Sequence, residues 1–513
     1  MRIKLLTLLL LLSFFHAKSQ SIFQKTYGKV QQDYAYAMQK TFDGGYIISG
    51  LTSSYGGSNC LYLLKTDAQG DTLWVKGYAT SGIIYGYSIQ QTKDSCYVVA
   101  GSNGILKINA QGNIIWGFNY SGVIFYSVQQ TSDGGYILSG TVGSSSSSNG
   151  IDIYLLKLNA IGAKQWSIKL GGAADDISTC IRQTIDGGYI SLGCTNSFGA
   201  GNTDIYLIKT NSSGDTLWTK TYGGTGTDGG TSNRQNLEIT SDSGFIIGSY
   251  SNSFGINADA YLIKTKANGD TLWTKTYGGT GTEVIYCVKQ TNDGGYIFTG
   301  YTGSFGAGGN DVYVVKTNAV GDTLWTRAFG GTSTDIGQSI VEANDKGFLL
   351  AGVSSSFING NSDVYLIKTD SLGNSSCNQF NTSSIVNSTP TIISPTATGK
   401  IFITLNISSL NPTSKGGGTI TDICALNEIQ SFEKQNFNLS IYPNPNTGTF
   451  TISLNEKYSE KIKVTISNVL GETVYSTTQE NDTTVYLTSL PNGIYFLKAE
   501  AGKIFNQRII INR

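Results

Sequence analysis

Histidine is all but missing from this 513-residue chain; the single copy is His16. It sits in an apolar N-terminal stretch, and everything downstream lacks the commonest general base and the commonest metal ligand. Charge is scarce too. Asp, Glu, Lys and Arg make up 14% of residues and the formal net charge is zero, so no basic face for nucleic acid or an anionic membrane is expected. No run beyond the N-terminus is apolar enough to cross a bilayer as a helix, so no transmembrane segment is expected. Proline occurs only six times. What abounds is glycine (64) and tyrosine (30), with many Ser, Thr and Asn, a mixture suited to short strands joined by tight turns.

Residues 1–19 read as a secretory signal peptide. Arg2 and Lys4 precede an apolar run from Leu5 to Phe15, and Ala17 and Ser19 are small residues placed for cleavage. Seven cysteines are an odd number for an exported chain. Cys180 and Cys287 share a repeat position otherwise held by Ala37, Ser88, Ser127, Asn236 and Ser339, and are read as packing residues. Cys377 and Cys424 bracket a Ser/Thr-rich stretch and form the one disulfide candidate.

Six tryptophans, Trp74, Trp116, Trp166, Trp218, Trp273 and Trp325, recur 42 to 55 residues apart. A period near 50 with one large aromatic per unit predicts an array of four-stranded blades. Hairpin turns such as Asp43-Gly44-Gly45 and Asp186-Gly187-Gly188 occur seven times, with looser versions starting at Asp94, Asp242 and Asp345. A later turn carries Gly70, Gly112, Gly162, Gly214, Gly269, Gly321 and Gly373, as a left-handed backbone position requires. The seventh unit lacks its fourth strand and has Cys377 in the tryptophan slot. "SIFQKTYG" at Ser21–Gly28 matches "TLWTKTYG" at Thr271–Gly278, with Phe23 in that slot. The expected fold is all-β: a seven-bladed β-propeller over 21–377 closed by its N-terminal strand, a Ser/Thr-rich linker or small β segment over 378–437, and a small Ig-like β-sandwich over 438–513. Each tryptophan is expected to pack between neighbouring blades, at about 3–5 kcal/mol for replacement by alanine. The third-strand lysines Lys65, Lys107, Lys157, Lys209, Lys264, Lys316 and Lys368 are expected to pack their stems and reach nearby carboxylates rather than form a cationic ring.

Binding residues belong on the long loops of one face. Tyr55, Phe198, Phe254, Phe305 and Phe357 recur there, as structural anchors or as ligand contacts. Asp33, Asp176, Glu283 and Asp335 start the first strands of four units; they cap loop amides or hold a cation such as calcium, and no other cofactor is expected. The fifth unit carries an insertion with Asn233 and Arg234, the outlying candidates for a specific site.

The tail is more distinctive. Tyr442-Pro443-Asn444-Pro445, Gly448, Asn468, Gly471 and Gly493-Ile494-Tyr495 lie among about seven short alternating strands. These motifs resemble the C-terminal sorting domain of type IX secretion cargo from Bacteroidota, and the "DGGY" repeats look like those of secreted bacterial propeller proteins. The resemblance implies export to the periplasm, recognition by the type IX machinery, and a secreted or surface-attached product. The expected role is a non-enzymatic binding or adhesion module for a glycan or protein. The alternatives are a polysaccharide-active enzyme, which needs a convergent carboxylate pair, or a structural spacer.

Overall fold

The computed structural model describes residues 22–422 and 439–512, apart from 56–58, 80–82, 144–149, 231–235, 256, 358–360, 383–384, 388–391, 394–406, 410–412, 417–418, 443, 445, 455–461, 469–471, 480–482 and 501–503. The signal-peptide stretch lies outside the described residues. Every regular element described is a β-strand, and almost all strand pairing is antiparallel. The chain divides into two compact units, Met1–Glu428 and Ile429–Arg513.

The first compact unit is built from the repeat. Sheets of four consecutive strands start at Asp33, Asp176, Leu237 and Glu283. The second and third repeats share one seven-stranded sheet, because Ile114–Gln130 runs on from the fourth strand of one into the first strand of the next. The seventh repeat has three strands of its own, Asp335–Glu342, Phe348–Ser354 and Asp363–Thr369. Its fourth is Phe23–Gly28, paired antiparallel to Asp363–Thr369 with Phe23 opposite Lys368. That register repeats Trp74 opposite Lys65 and Trp273 opposite Lys264, so the expected pairing of the N-terminal strand is present. First strands of successive repeats touch one another, and that of the seventh touches Asp33–Lys40 of the first.

Two turn devices explain the repeat chemistry. In the hairpin turn the first glycine takes positive φ, as at Gly44 (+83°). The second makes room for lysine: a β-carbon on Gly45 would lie 2.8 Å from the Lys65 ammonium and 2.1 Å from the Thr66 carbonyl oxygen. All seven lysines are buried and pair with the turn aspartate at 2.7–2.9 Å. Burial alone would raise the pKa of Asp94, Asp133, Asp186 and Asp242. The lysine and a threonine hydroxyl two residues earlier overcome it and hold these carboxyls at about 2. The expectation for these lysines therefore holds.

The second device joins neighbours. A β-carbon on Gly162, Gly214, Gly269, Gly321 or Gly373 would come within 3.3 Å of the preceding repeat's tryptophan ring, so each ring rests on the next repeat's turn. Gly70 of the first repeat meets Phe23 in the same way, at 2.6 Å. The hydroxyls of Tyr27, Tyr78, Tyr222 and Tyr277 donate to turn carbonyls of the next repeat at 2.5–2.7 Å. The tryptophans join repeats as expected, but their rings are only partly buried. This lowers the cost of removal. Trp273→Ala is expected to cost about 2–3 kcal/mol in denaturant unfolding, below the range for a fully buried aromatic.

The stretch read as a linker or small β segment forms short strands that pair with the repeats. Gln379–Asn381 adds a fifth strand to the sixth repeat, Ile385–Asn387 to the fifth and Ile392–Ile393 to the fourth. Ile407–Ser409 then pairs with the second repeat, Thr413–Gly416 with the first and Thr419–Asp422 with Phe23–Gly28 of the seventh. The open outer edges draw this segment in, because unpaired strand edges need partners. It visits the repeats in reverse order and returns to the one it left, and the first compact unit runs to Glu428.

The second compact unit has a three-stranded sheet (Leu439–Tyr442, Thr449–Leu454, Thr483–Tyr486) and a four-stranded sheet (Thr473–Gln479, Ile462–Ser467, Gly493–Glu500, Ile504–Ile511). One core serves both, with Phe450 and Val485 from one sheet and Val464, Leu497 and Ile509 from the other. The asparagines of the Tyr442–Gly448 motif tie it to the last strand. Asn444 Oδ1 accepts from the Ile510 amide at 2.8 Å, and the Asn446 amide donates to the Ile510 carbonyl at 2.9 Å. Gly448 has φ +94°, and the Tyr495 hydroxyl donates to the Pro491 carbonyl. Pro443, Pro445 and Gly471 lie outside the described residues.

Cys377 is disulfide-bonded, and Cys96, Cys180, Cys194 and Cys287 are free thiols. The expected partner, Cys424, lies outside the described residues, two positions past Thr419–Asp422. A Cys377–Cys424 bond would fasten the edge segment where it starts and finishes. Non-reducing peptide mapping is expected to recover these two cysteines joined. Cys377→Ser is expected to lower stability by about 2–4 kcal/mol, the loop-closure scale for a ring of this length.

Candidate functional site

The recurrent loop aromatics are committed to the fold. Tyr55 is 4% exposed. Each of the five packs on a tyrosine of its own third strand: Tyr55 on Tyr62, Phe198 on Tyr206, Phe254 on Tyr261, Phe305 on Tyr313 and Phe357 on Tyr365, with ring centroids 5.5–6.2 Å apart. This packing fits the anchoring expectation for them, and Phe198, Phe254, Phe305 and Phe357 stay partly exposed. Asn233 and Arg234 lie outside the described residues.

The four acidic residues are fully buried. Asp33 accepts from the Lys29 amide and the Ser54 hydroxyl, Asp176 from the Gly172 amide and Ser197, Glu283 from the Gly279 amide and Thr302, and Asp335 from the Gly331 amide and Ser356. The capping expectation is met. Each also faces a second carboxylate from the preceding repeat: Asp363, Asp152, Asp259 and Asp311 respectively. In every pair both carboxyls have an oxygen within 3.0 Å of the point that a β-carbon on Gly28, Gly171, Gly278 or Gly330 would occupy. Only glycine fits between them. Asp204 and Asp228 meet in the same way at Gly223. Among the described residues no three acidic, Cys or His groups gather as they would around a metal ion.

Burial, with the neighbouring Asp335 and Asp33 charges added, raises Asp311 and Asp363 to about 7. One oxygen of each is buried with no hydrogen-bond partner.

The repeat breaks elsewhere. Beside the fifth-repeat insertion a pocket of about 300 Å³ opens, lined by Asn236, Tyr250, Asn252, Thr282, Tyr286 and Tyr301 among others. Among the described residues no lining side chain is charged. Tyr286 and Tyr301 meet edge to face at 5.7 Å, and the Tyr250 ring packs over Gly230, where a β-carbon would be 2.4 Å away. Amide and phenol groups beside aromatic faces suit a neutral ligand with both donors and acceptors. Tyr250 and Tyr301 escaped the sequence reading. Their equivalents are Leu51, Ser102, Thr141, Cys194 and Val353, so the substitution was visible once the strands were aligned. Asn236 was visible as the odd occupant of the small-residue slot.

A second departure lies on the first strands of repeats one to three. Tyr36, Tyr87 and Tyr126 occupy equivalent positions, with centroids 5.3 and 5.2 Å apart in turn, and Tyr85 stacks on Tyr87 at 5.5 Å. Tyr36, Tyr85 and Tyr87 are partly exposed.

Residues 440–512 match the family model of the secretion system C-terminal sorting domain. This domain directs type IX secretion, so the protein is exported to the cell surface or released, and the tail engages the secretion machinery. A search of curated proteins gave no match. Among solved structures, the extracellular domain of hybrid two-component system BT4673 from B. thetaiotaomicron is 12% identical with a TM-score of 0.41, over 96% of this chain and 60% of that one. PorZ, a surface component of the type IX secretion system of Porphyromonas gingivalis, is 12% identical with a TM-score of 0.37, over 93% and 59%. A protein of unknown function from Bacteroides caccae is 12% identical with a TM-score of 0.35, over 56% and 98%. Likeness at this level carries no inference about activity. No helix among the described residues is long and apolar enough to cross a membrane.

The carboxylate pairs set a pH dependence. Asp311 and Asp363 bind a proton more tightly folded than unfolded, so their contribution to stability is complete below about pH 4 and is lost as pH rises towards 7. Asp311→Asn and Asp363→Asn are each expected to raise the melting temperature by a few degrees at pH 8, each pKa unit being worth about 1.4 kcal/mol. At pH 4 the gap closes. A constant gap across thermal scans from pH 4 to 8 is the contrary result.

Proposed function

We propose that the seven repeats are blades of a closed β-propeller, and that this exported propeller is a non-catalytic binding module for a neutral glycan. The single observation that carries the ligand reading is the pocket beside the fifth-repeat insertion, whose described walls are rich in tyrosine and asparagine and carry no charged side chain. Sugar rings stack on aromatic faces, and their hydroxyls both donate to and accept from amide and phenol groups. Support for ring closure comes from the pairing of Phe23–Gly28 with Asp363–Thr369, the Phe23 contact on Gly70, and the cycle of contacts between first strands. Against an enzymatic reading, the carboxylates it would recruit, Asp33, Asp176 and Asp335, are buried and already accept hydrogen bonds.

The test is a neutral-glycan array probed with the exported protein, with and without calcium. Binding is expected without calcium and is expected to fall at least tenfold in Tyr286→Ala and Tyr250→Ala. Retention of no glycan, or binding indifferent to both substitutions, refutes the ligand reading. Calcium-dependent binding would instead favour a cation at the carboxylate pairs, and turnover of a bound polysaccharide would favour an enzyme.

A further inference from the structure

At the other end of the same first strands, seven equivalent positions are defined by pairing to the second strand: Gln39, Gln90, Gln129, Arg182, Glu238, Lys289 and Val341. The three glutamines act alike. Each side-chain carbonyl accepts from a backbone amide of the next repeat, Gln91, Gln130 or Gln183, at 2.5–2.6 Å. This ties neighbouring first strands together. From the fourth repeat the pattern changes. Arginine has no acceptor and cannot make the bond.

Side chains from six repeats surround a cavity of about 160 Å³ here, and among its walls are Gln39, Gln90, Gln129, Arg182, Lys289 and Val341. Two cations face it. Lys289 is paired with Glu238 at 3.0 Å, and both remain about a quarter exposed (25% and 27%). Arg182 uses one guanidinium nitrogen, Nη1, to donate to the Ile181 carbonyl at 2.8 Å and Ser127 Oγ at 3.4 Å. Among the described residues no carboxylate forms an ion pair with it. Arg182 is also close enough to act on Lys289 as a like charge. Two cations thus line this cavity, and among the described residues the one carboxylate ion-paired there, Glu238, answers Lys289 alone, leaving one positive charge in excess. An uncompensated cation in a confined site is costly, and a guanidinium with free donors matches the oxygens of an oxyanion. The volume exceeds that needed for a single water.

We propose that this cavity is a binding site for a small oxyanion, held by the free edge of the Arg182 guanidinium and by the Lys289 ammonium. The shared chemistry is a carboxylate or phosphate group, supplied either as a free ion or on an acidic sugar.

The repeat provides its own control. Arg182→Gln installs the residue that three sibling repeats already carry at this position, so the fold is retained and only the charge and fork are lost. Inorganic phosphate and glucuronate are each titrated calorimetrically into the exported protein and into Arg182→Gln, at constant ionic strength. Saturable binding of at least one probe is expected in the wild type, weakened at least tenfold in the variant, with a melting temperature raised by that probe only in the wild type. Preference for phosphate identifies a free ion, and preference for glucuronate an acidic sugar. Absence of saturable binding for both probes overturns the proposal. So does equal binding by a variant that melts like the wild type.

Discussion

The antiparallel pairing of Phe23–Gly28 with Asp363–Thr369 is the contact on which most of the larger unit depends. It joins segments some 340 residues apart, so its loop-closure entropy is large and has to be offset by the contacts that the pairing makes possible. Phe23 settles on Gly70, and the Tyr27 hydroxyl reaches the Gly70 carbonyl, so the N-terminal strand serves the seventh repeat and the first at once. Gln24 links to the same neighbourhood: its carbonyl accepts from the Tyr365 hydroxyl and its amide donates to Ser375 Oγ. The last edge strand, Thr419–Asp422, can pair only because Phe23–Gly28 is already in place. A single six-residue strand therefore supports contacts on both of its edges and at its tip.

Charge is handled differently at the two ends of the strands. At the hairpin turns each buried ammonium meets a half-exposed aspartate and, in six repeats, a backbone carbonyl one residue on. Opposite charges and solvent on one side make that arrangement favourable. At the other end like charges are pressed together: Asp311 against Asp335, and Asp363 against Asp33. Protonation relieves the repulsion at the pH where one carboxyl of each pair is raised to about 7. The glycine between each pair is constrained by packing alone, since a carboxylate oxygen fills the space of its missing side chain.

Much of this was legible in the chain, for physical reasons. A tryptophan, a turn glycine, an aspartate-glycine hairpin and a lysine recur because each solves a local problem that every repeat shares. The match of "SIFQKTYG" to the fourth-strand pattern led directly to the N-terminal pairing. For the edge segment a small β segment was one of two readings, and its partners were not legible. Its strands are two to four residues long, too short to show alternation, and their partners are defined by open edges rather than by their own side chains. The partners of Asp33 and Asp335 were hidden because they come from a neighbouring repeat. The loop phenylalanines could be read as anchors or as ligand contacts because a partly buried anchor and a binding aromatic have the same sequence signature. The tyrosine on which each one packs sits a strand away.

The departures from the repeat carry information of a different kind. Where six or seven copies agree, the shared residue answers to architecture, and its neighbours in the structure say how. Where one copy differs, the sibling repeats show what the architecture would have accepted. Asn236 stands where Ala, Ser or Cys suffices, and it lines a pocket. Tyr250 and Tyr301 stand where smaller side chains (Leu, Ser, Thr, Cys or Val) suffice, and they line the same pocket. Arg182 stands where glutamine ties strands together, and it forfeits that bond to place a cation in a cavity. Each substitution gives up something the fold offers at that position. Packing and strand pairing alone would not select for such exchanges, and each of these side chains lines a pocket on the first and second strands.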